Sequence, residues 1–294
     1  MPSIRCYNPA MPEFIVKHAC ILKDFLSQSL QISGTKAKQL LDARKVFVNG
    51  QRVWVAGYKL KAGDMVEVNQ VVPEALEGTG TSTLFDIRHL IIAEDNDYLI
   101  VNKPAGIIVN EHKHSLENKL KHELKNTQLQ AAHRLDKDTS GLVIFAKNPQ
   151  AFNKIVQVFK NFGVEKNYRC LVQGNILKKF PREFTLKQPI AGQSAETKVH
   201  ILKTNDLASY LEIQLVTGRK HQIRLHLSAA GFPLLGEQNY QTKALNNPLF
   251  RQVPRQMLHA ASIKFTDPIS SKVLQTSVKE PPDFLDTLKL FKLC

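Results

Sequence analysis

The chain has 294 residues, of which 43% are apolar and 22% charged, and 40 Lys+Arg stand against 26 Asp+Glu. This length and apolar fraction allow one large domain or two ordinary ones, and they exclude intrinsic disorder, collagen and coiled coil. No apolar stretch approaches the roughly 20 residues of a membrane helix, and no pattern predicts a signal peptide. The formal charge of +14 favours a polyanionic partner, with nucleic acid as the leading class.

The four cysteines, at positions 6, 20, 170 and 294, are scattered along the chain. They form no Cys-x-x-Cys pair, which disfavours both a zinc site and a disulfide framework. We therefore expect a protein of the reducing cytoplasm that holds no metal.

A stretch rich in Gly and Thr and without apolar periodicity separates two parts of the chain. We predict a small module over residues 1–72, a linker over 73–88 and a larger domain over 89–294. In the module, helix-like spacing covers residues 20–29 and 35–43. Two short apolar runs around Asn49-Gly50 predict a hairpin, and alternation over 65–68 predicts a strand.

The larger domain mixes strands and helices without strict alternation, which predicts an α+β fold on a mixed, mostly antiparallel sheet. Apolar runs predict strands over 90–93, 98–101, 141–147, 168–172 and 210–216. Helical spacing covers 115–126, 149–162 and 220–230, with Gly163 as the expected stop of the second helix.

One segment concentrates charged side chains directly before an apolar strand, and it reads Ala132-His133-Arg134-Leu135-Asp136-Lys137-Asp138-Thr139-Ser140-Gly141-Leu142. Loops at strand ends often present catalytic groups, although a solvated turn with local hydrogen bonds is the more common explanation of such a pattern. Composition does not decide between Asp136 and Asp138.

A second cluster lies at a predicted helix start and reads Thr217-Gly218-Arg219-Lys220-His221-Gln222-Ile223-Arg224-Leu225-His226. Free backbone N–H groups and cations at that end suit an anion, while ordinary basic decoration of a surface helix is the alternative. Tyr168 stands between Lys166 and Arg169 and could stack on a base or pack in a strand.

Taken in order, these segments resemble the motifs of pseudouridine synthases of the ribosomal large-subunit type, the RluA/RluD family. The matching residues are Val101 to Gly106, His133 to Asp136, Thr139 to Leu142, Lys166-x-Tyr168, Thr217 to His226, Gly231 to Gly236, and Leu258-His259-Ala260. The resemblance covers residues 90–294.

The resemblance implies that Asp136 is the catalytic carboxylate, that Tyr168 stacks on the target uracil, and that Arg224 pairs with Asp136. It also implies substrate or RNA contacts for Lys103, His133, Arg134, Lys166, Arg219 and His221. Arg134 would help displace the target base, while Lys103 and Arg219 would touch the RNA backbone.

The implied reaction breaks the N-glycosidic bond of a uridine, rotates the uracil and rejoins it through carbon 5, with no cofactor and no metal. The uridine must first be flipped out of the RNA, which costs a few kcal/mol. Burial disfavours the anion of Asp136, and we expect a bidentate Arg224 to restore it. The carboxylate could act at carbon 1′ or at carbon 2′, and Tyr168 or water could take the proton from carbon 5.

Two departures from the family pattern stand close together after the second cluster. The family's Gly-His-Pro reads Gly231-Phe232-Pro233 here, and its Gly-Asp-x-x-Tyr reads Gly236-Glu237-Gln238-Asn239-Tyr240. We expect these changes to affect the substrate surroundings and not the central constellation.

The first 70 residues resemble the RNA-binding fold of a small-subunit ribosomal protein, the S-four type, through Val46-Phe47-Val48-Asn49-Gly50 and Gly63-Asp64. Its RNA contacts are expected at Lys36, Lys38 and Arg44. This module favours ribosomal RNA as the partner, with transfer RNA second. A non-catalytic RNA-binding factor is the rival from another class, and a monomer without membrane contact is the default expectation.

Overall fold

The computed structural model describes residues 13–42, 45–68, 87–240 and 248–294. The chain folds into two compact units. One comprises residues 1–83 and 243–254, and the other comprises residues 84–242 and 255–294. Of the predicted linker, residues 73–86 lie outside the described ranges, while Ile87–Leu90 form a 3-10 helix.

The first unit packs two helices on a small sheet. Its elements are β1 (Glu13–Ile15), β2 (Cys20–Ile21), α1 (Leu22–Ser29), α2 (Gly34–Asp42), β3 (Val46–Val48), β4 (Gln51–Arg52), β5 (Lys59–Leu60) and β6 (Met65–Val68). Four strands pair in the order β1-β6-β3-β4, and β2 pairs with β5. Asn49 and Gly50 both have positive φ, 49° and 75°, so the predicted hairpin is confirmed.

The second unit is built on a ten-stranded sheet. Its strands are β7 (Ile91–Glu94), β8 (Tyr98–Lys103), β9 (Gln130–Ala131), β10 (Ser140–Ala146), β11 (Val164–Gln173), β12 (Glu183–Leu186), β13 (Thr197–Thr204), β14 (Ala208–Leu215), β15 (Leu258–Thr266) and β16 (Val273–Ser277). Its helices are α3 (Leu116–Glu123), α4 (Pro149–Lys160), α5 (Gln222–Ala229) and α7 (Pro282–Leu290). The short helix α6 (Pro248–Arg251) belongs to the first unit.

The strands of the large sheet follow the order β12-β13-β14-β11-β15-β10-β8-β7, with β16 on β15 and β9 on β10. The pairing of β10 with β15 is parallel, and the others are antiparallel. The predicted α+β class with a mixed, mostly antiparallel sheet is therefore confirmed.

The central strands are buried on both faces, which explains their continuous apolar runs. In β10, Val143 and Phe145 join the core that contains Leu120 of α3, while Leu142 and Ile144 join the core on the other face. α3 and α5 thus contribute to the core on one face of the sheet, and α4 contributes to the core on the other.

Several helix ends differ from the prediction by one to three residues, and two of them lie next to residues with positive φ. At the end of α4, Phe162 and not Gly163 has positive φ, 56°, and the Gly163 N–H donates to the Val158 carbonyl at 2.8 Å. α5 begins at Gln222, because His221 before it also has positive φ, 55°. Within the described ranges, no helix has the length and apolar character that crossing a bilayer requires.

Candidate active site

The loop before β10 carries Asp136, and two side chains that precede β15 fix this loop. The Thr139 N–H donates to the Asp136 carbonyl at 3.1 Å, which closes a turn. Arg255 donates to the Asp138 carbonyl at 3.0 Å, and Gln256 Nε2 donates to Thr139 Oγ1 at 2.8 Å. The backbone around Asp136 is therefore held by buried polar partners.

Gly141 permits the close approach of β10 and β15 beside this loop. Its φ is 114°, and a Cβ built on it would lie 2.3 Å from the Ala260 carbonyl oxygen. The Thr-Ser-Gly motif thus ends in a glycine that cannot be replaced by a residue with a Cβ atom unless one of the two strands moves.

The second motif presents its side chains from the start of α5. Gln222 is buried, and its Oε1 accepts from Thr217 Oγ1 at 2.7 Å and from the Arg219 N–H at 3.0 Å. This bracing fixes the turn before the helix. Arg224 follows in the first turn of the helix and points at the loop that carries Asp136.

Arg224 joins two carboxylates. Its Nη1 donates to Asp136 Oδ2 at 2.8 Å, while Nε and Nη2 donate to Glu237 Oε2 and Oε1, both at 2.8 Å. The Arg224 and Glu237 side chains are 6% and 0% exposed, and that of Asp136 is 26% exposed. The expectation of a bidentate pair with Asp136 is therefore wrong, because the Nε/Nη2 edge of the guanidinium binds Glu237 and only Nη1 donates to Asp136.

The charges in this group stabilise one another. Burial alone would lower the pKa of Arg224, but the hydrogen bonds and charge of Glu237, followed by those of Asp136, raise it above its ordinary value. Burial alone would raise the pKa of Glu237, but Arg224 holds it below its usual range. Both groups are charged at neutral pH.

His221 approaches Asp136 from the other side. Its Nε2 lies 3.4 Å from Asp136 Oδ1, and its Nδ1 is hydrogen-bonded to the Tyr240 hydroxyl at 2.6 Å. Burial lowers the pKa of His221 although Asp136 opposes this shift, so the ring is neutral at pH 7. Gln256 Nε2 also lies 3.4 Å from Asp136 Oδ2.

Asp136, Tyr168 and Arg224 line one cavity of about 320 Å³, which is large enough to hold a small ligand. Tyr168 lies in β11 at an irregularity in its pairing with β15. Burial, assisted by the charge of Asp136, raises the pKa of Tyr168, so its phenol stays protonated. Asp138 is not among the described residues that line the cavity, and this distinguishes the two aspartates of the motif.

The cavity wall is electropositive. Among the described lining residues, four are Lys or Arg and one is acidic: Arg134, Lys166, Arg219 and Arg224 against Asp136. Such a wall suits a phosphate-bearing ligand.

Three of the cationic side chains that line the cavity differ in their contacts. Arg134 forms an exposed ion pair with Glu111 at 3.1 Å. Lys166 Nζ lies 5.6 Å from the centre of the Phe159 ring, and burial lowers its pKa. Arg219 Nε donates to the Ser194 carbonyl at 3.0 Å.

His133 also lines the cavity, and its ring is fixed from behind. Nε2 accepts from the Ile144 N–H at 3.1 Å, and the ring packs on Phe159 with centroids 5.0 Å apart. Burial, with a smaller contribution from Lys166, lowers the pKa of His133 to about 3. It is a neutral group of the wall.

Lys103 is a correction to the sequence-based expectation of an RNA contact. Its side chain is fully buried, and Nζ donates to the carbonyls of Pro104, Ile107 and Lys137 at 2.9 to 3.0 Å. Burial lowers its pKa to about 7. Since its three donors are used inside the protein, Lys103 ties two loops together and does not reach an RNA backbone.

The expected contacts of the first unit are on α2. Lys36 and Lys38 are exposed there on either side of the buried Ala37. Arg44 lies outside the described residues. The roles of all these residues remain predictions.

Sequence reasoning missed the importance of the segment after α5. Glu237 and Tyr240 were expected to affect only the surroundings of the substrate, and this is wrong for Glu237. Glu237 is the buried partner of Arg224, and the ring of Tyr240 lies 5.0 Å from the Arg224 Cζ atom. The Gly-x-x-x-Tyr pattern was visible, but its pairing with Arg224 is a tertiary contact.

The chain is similar to known proteins over most of its length. Residues 97–229 match the family model described as RNA pseudouridylate synthase, and residues 22–66 match the S4 domain. The chain is 31% identical over 277 residues to "Ribosomal large subunit pseudouridine synthase C" of Vibrio cholerae, covering 86% of this chain and 87% of that protein. The chain belongs to the RNA pseudouridylate synthase family. The predicted enzyme class and the predicted S4-type module are confirmed.

Further relatives agree. "Ribosomal large subunit pseudouridine synthase D" of Buchnera aphidicola is 28% identical over 285 residues, covering 88% of this chain and 90% of that protein. The solved structure "Human RNA Pseudouridylate Synthase Domain Containing 4" superposes with a TM-score of 0.59 at 21% identity, covering 70% of this chain and 94% of that one. At 21% identity, this structural similarity supports the fold of the chain and not its substrate.

Proposed function

We propose that the protein converts uridines of large-subunit ribosomal RNA to pseudouridine, with Asp136 as the catalytic carboxylate. The observation that carries the proposal is the carboxylate of Asp136 in a cationic cavity, held by one N–H of Arg224 and lying beside Tyr168. Relatives named as ribosomal large-subunit synthases support the choice of RNA.

The cavity supplies what an extruded nucleotide requires. Tyr168 offers an aromatic surface for the uracil, since base–aromatic stacking contributes about 1–3 kcal/mol per base. Arg134 is exposed at the mouth, where it can occupy the gap that the uridine leaves. Lys166 and Arg219 are placed to meet phosphates.

Chemistry begins with the ionised Asp136 acting on the ribose, at carbon 1′ as a nucleophile or at carbon 2′ as a base. The bond from carbon 1′ to N1 breaks, the uracil rotates, and the bond from carbon 1′ to carbon 5 forms. Carbon 5 then loses its proton and N1 gains one. Because the pKa of Tyr168 is raised, its hydroxyl is a poor base, and we assign the acceptance of this proton to water.

The first unit serves RNA capture in this proposal, through Lys36 and Lys38 on α2. Each phosphate that a protein neutralises releases counterions, so such a module adds salt-dependent affinity. We place the protein in the cytoplasm as a monomer, where ribosomal RNA is accessible to it.

The test compares pseudouridine maps of ribosomal and transfer RNA from cells with and without the gene, complemented with the native protein or with Asp136→Asn. We expect specific sites of large-subunit RNA to be lost, and to return with the native protein only. Loss confined to transfer RNA would reassign the substrate. Restoration by Asp136→Asn would refute the role of the carboxylate.

A further inference from the structure

Glu237 is a buried carboxylate that the mechanism above does not use. It follows Gly236, and its own N–H donates to the Leu234 carbonyl at 3.1 Å. Its Oε1 accepts from the backbone N–H groups of Gln238 and Asn239 at 2.9 and 3.0 Å. The side chain is thus fixed by its own loop before it meets Arg224.

Its position determines which edge of the Arg224 guanidinium faces Asp136. Arginine binds a carboxylate most strongly through two parallel N–H···O bonds, and the Nε/Nη2 edge is already engaged by Glu237. Only Nη1 reaches Asp136, on Oδ2. The other oxygen, Oδ1, receives no hydrogen bond from Arg224.

An oxygen that Arg224 does not bind matters, because the catalytic carboxylate must use a lone pair on the ribose. The neighbour of Oδ1 is the neutral His221 ring, whose Nε2 lies 3.4 Å away. Two N–H bonds from one guanidinium would hold both oxygens and withdraw charge from the reacting atom. The ring of Tyr240, 5.0 Å from the Arg224 Cζ atom, adds a second contact that restrains the guanidinium.

We propose that Glu237 is a positioning residue that occupies the fork of Arg224 and so leaves one oxygen of Asp136 available for the sugar. The proposal rests on the proposed catalytic role of Asp136. It places Glu237 among the residues that determine turnover, although it does not line the cavity.

The experiment compares Glu237→Gln, Glu237→Asp and a control, Glu280→Gln. Glu280 is a partly buried carboxylate of the same unit that accepts from the Tyr210 hydroxyl and pairs with Arg169, away from the cavity. Activity is measured as tritium release from large-subunit RNA transcripts labelled at carbon 5 of uridine. Crystal structures of the native protein and of Glu237→Gln complete the comparison.

For Glu237→Gln we expect kcat to fall about 10- to 100-fold, as for a misplaced catalytic group. KM should change by less than about twofold, because the lost interaction acts on turnover and not on RNA binding. A merely structural defect would raise KM as well as lower kcat.

Glu237→Asp keeps the charge, so it should recover most of kcat. In the crystal, Arg224 of Glu237→Gln should donate to both oxygens of Asp136. Glu280→Gln should retain native kcat.

The proposal is overturned if Glu237→Gln and Glu237→Asp lose the same activity, or if Arg224 of Glu237→Gln keeps its single bond to Asp136. If the native protein acts on transfer RNA transcripts instead, the same comparison is made there, and only the proposed RNA target fails. If the native protein releases tritium from neither RNA, the proposed function fails, and the crystal comparison alone decides the role of Glu237.

Discussion

Replacement of Arg224 by methionine should destabilise the fold in a strongly pH-dependent manner. Arg224 is the cation between the carboxylates of Glu237 and Asp136, and its side chain is 6% exposed. Methionine keeps much of the apolar volume but leaves Glu237 without its counterion. Breaking a buried pair in this way costs about 3–5 kcal/mol of the free energy of unfolding at pH 7.

The sign of the pH dependence follows from Glu237. In the native protein its pKa is lowered, so it contributes stability that is present above the unfolded-state pKa and is lost as pH falls through the folded-state pKa. In Arg224→Met, burial is opposed by the backbone N–H groups of Gln238 and Asn239 but no longer by Arg224, so the pKa of Glu237 rises and the variant is destabilised as pH rises. The difference between the two proteins is therefore largest at neutral pH. Near pH 4 it should shrink to about 1–2 kcal/mol, the cost of the lost hydrogen bonds.

Urea unfolding followed by circular dichroism at pH 7 and pH 4 measures this difference. Arg88→Met is the control, because Arg88 pairs with Glu123 on the surface at 3.0 Å and its loss should cost at most about 1 kcal/mol at either pH. The double variant Arg224→Met/Glu237→Gln should be more stable than Arg224→Met at pH 7. An equal loss at both pH values would refute the view that Arg224 neutralises a buried carboxylate.

Three further changes test other parts of the molecule. Lys36→Gln with Lys38→Gln should weaken RNA binding and reduce the slope of log affinity against log salt by about 1.5, whereas an unchanged slope would argue against contacts from α2. Lys103→Met should lower the free energy of unfolding by about 2–4 kcal/mol, because three carbonyls lose the donor that a fully buried side chain supplies, yet leave the salt slope of RNA binding native; a reduced slope would restore the RNA contact. Gly141→Ala should cost about 3 kcal/mol or more in urea unfolding, since its Cβ would overlap the Ala260 carbonyl; near-native stability would show that β10 and β15 can separate freely.

Local patterns predicted the elements well where one physical cause dominates. The apolar run of β10 indicates a strand because both of its faces are buried, and Asn49-Gly50 indicates a hairpin because both residues adopt positive φ. Predictions failed where tertiary contacts override preference. Phe162 takes the left-handed position that a glycine at 163 should occupy, and His221 delays the start of α5.

The site shows the same limit. Motif order placed Asp136, Tyr168 and Arg224 on one cavity wall, because the resemblance carries information about contacts that spacing lacks. The resemblance gives no measure of burial, so Lys103 was expected to touch RNA, whereas its side chain is buried and bonded to carbonyls. Sequence spacing also does not show which charged residues form pairs, so the contact between Glu237 and Arg224 was not predicted.

The path of the chain explains why a boundary placed from composition captures only part of the domain organisation. After Tyr240 contacts the site, residues 243–254 join the first unit, where Arg251 donates to both carboxylate oxygens of Glu67 at 2.8 Å. The chain then returns to the second unit, where Gln256 contacts the Asp136 loop. Composition detects a linker where polarity changes. The returning segment, in contrast, is held by a partly buried ion pair between residues 184 positions apart, which leaves no local trace in the sequence.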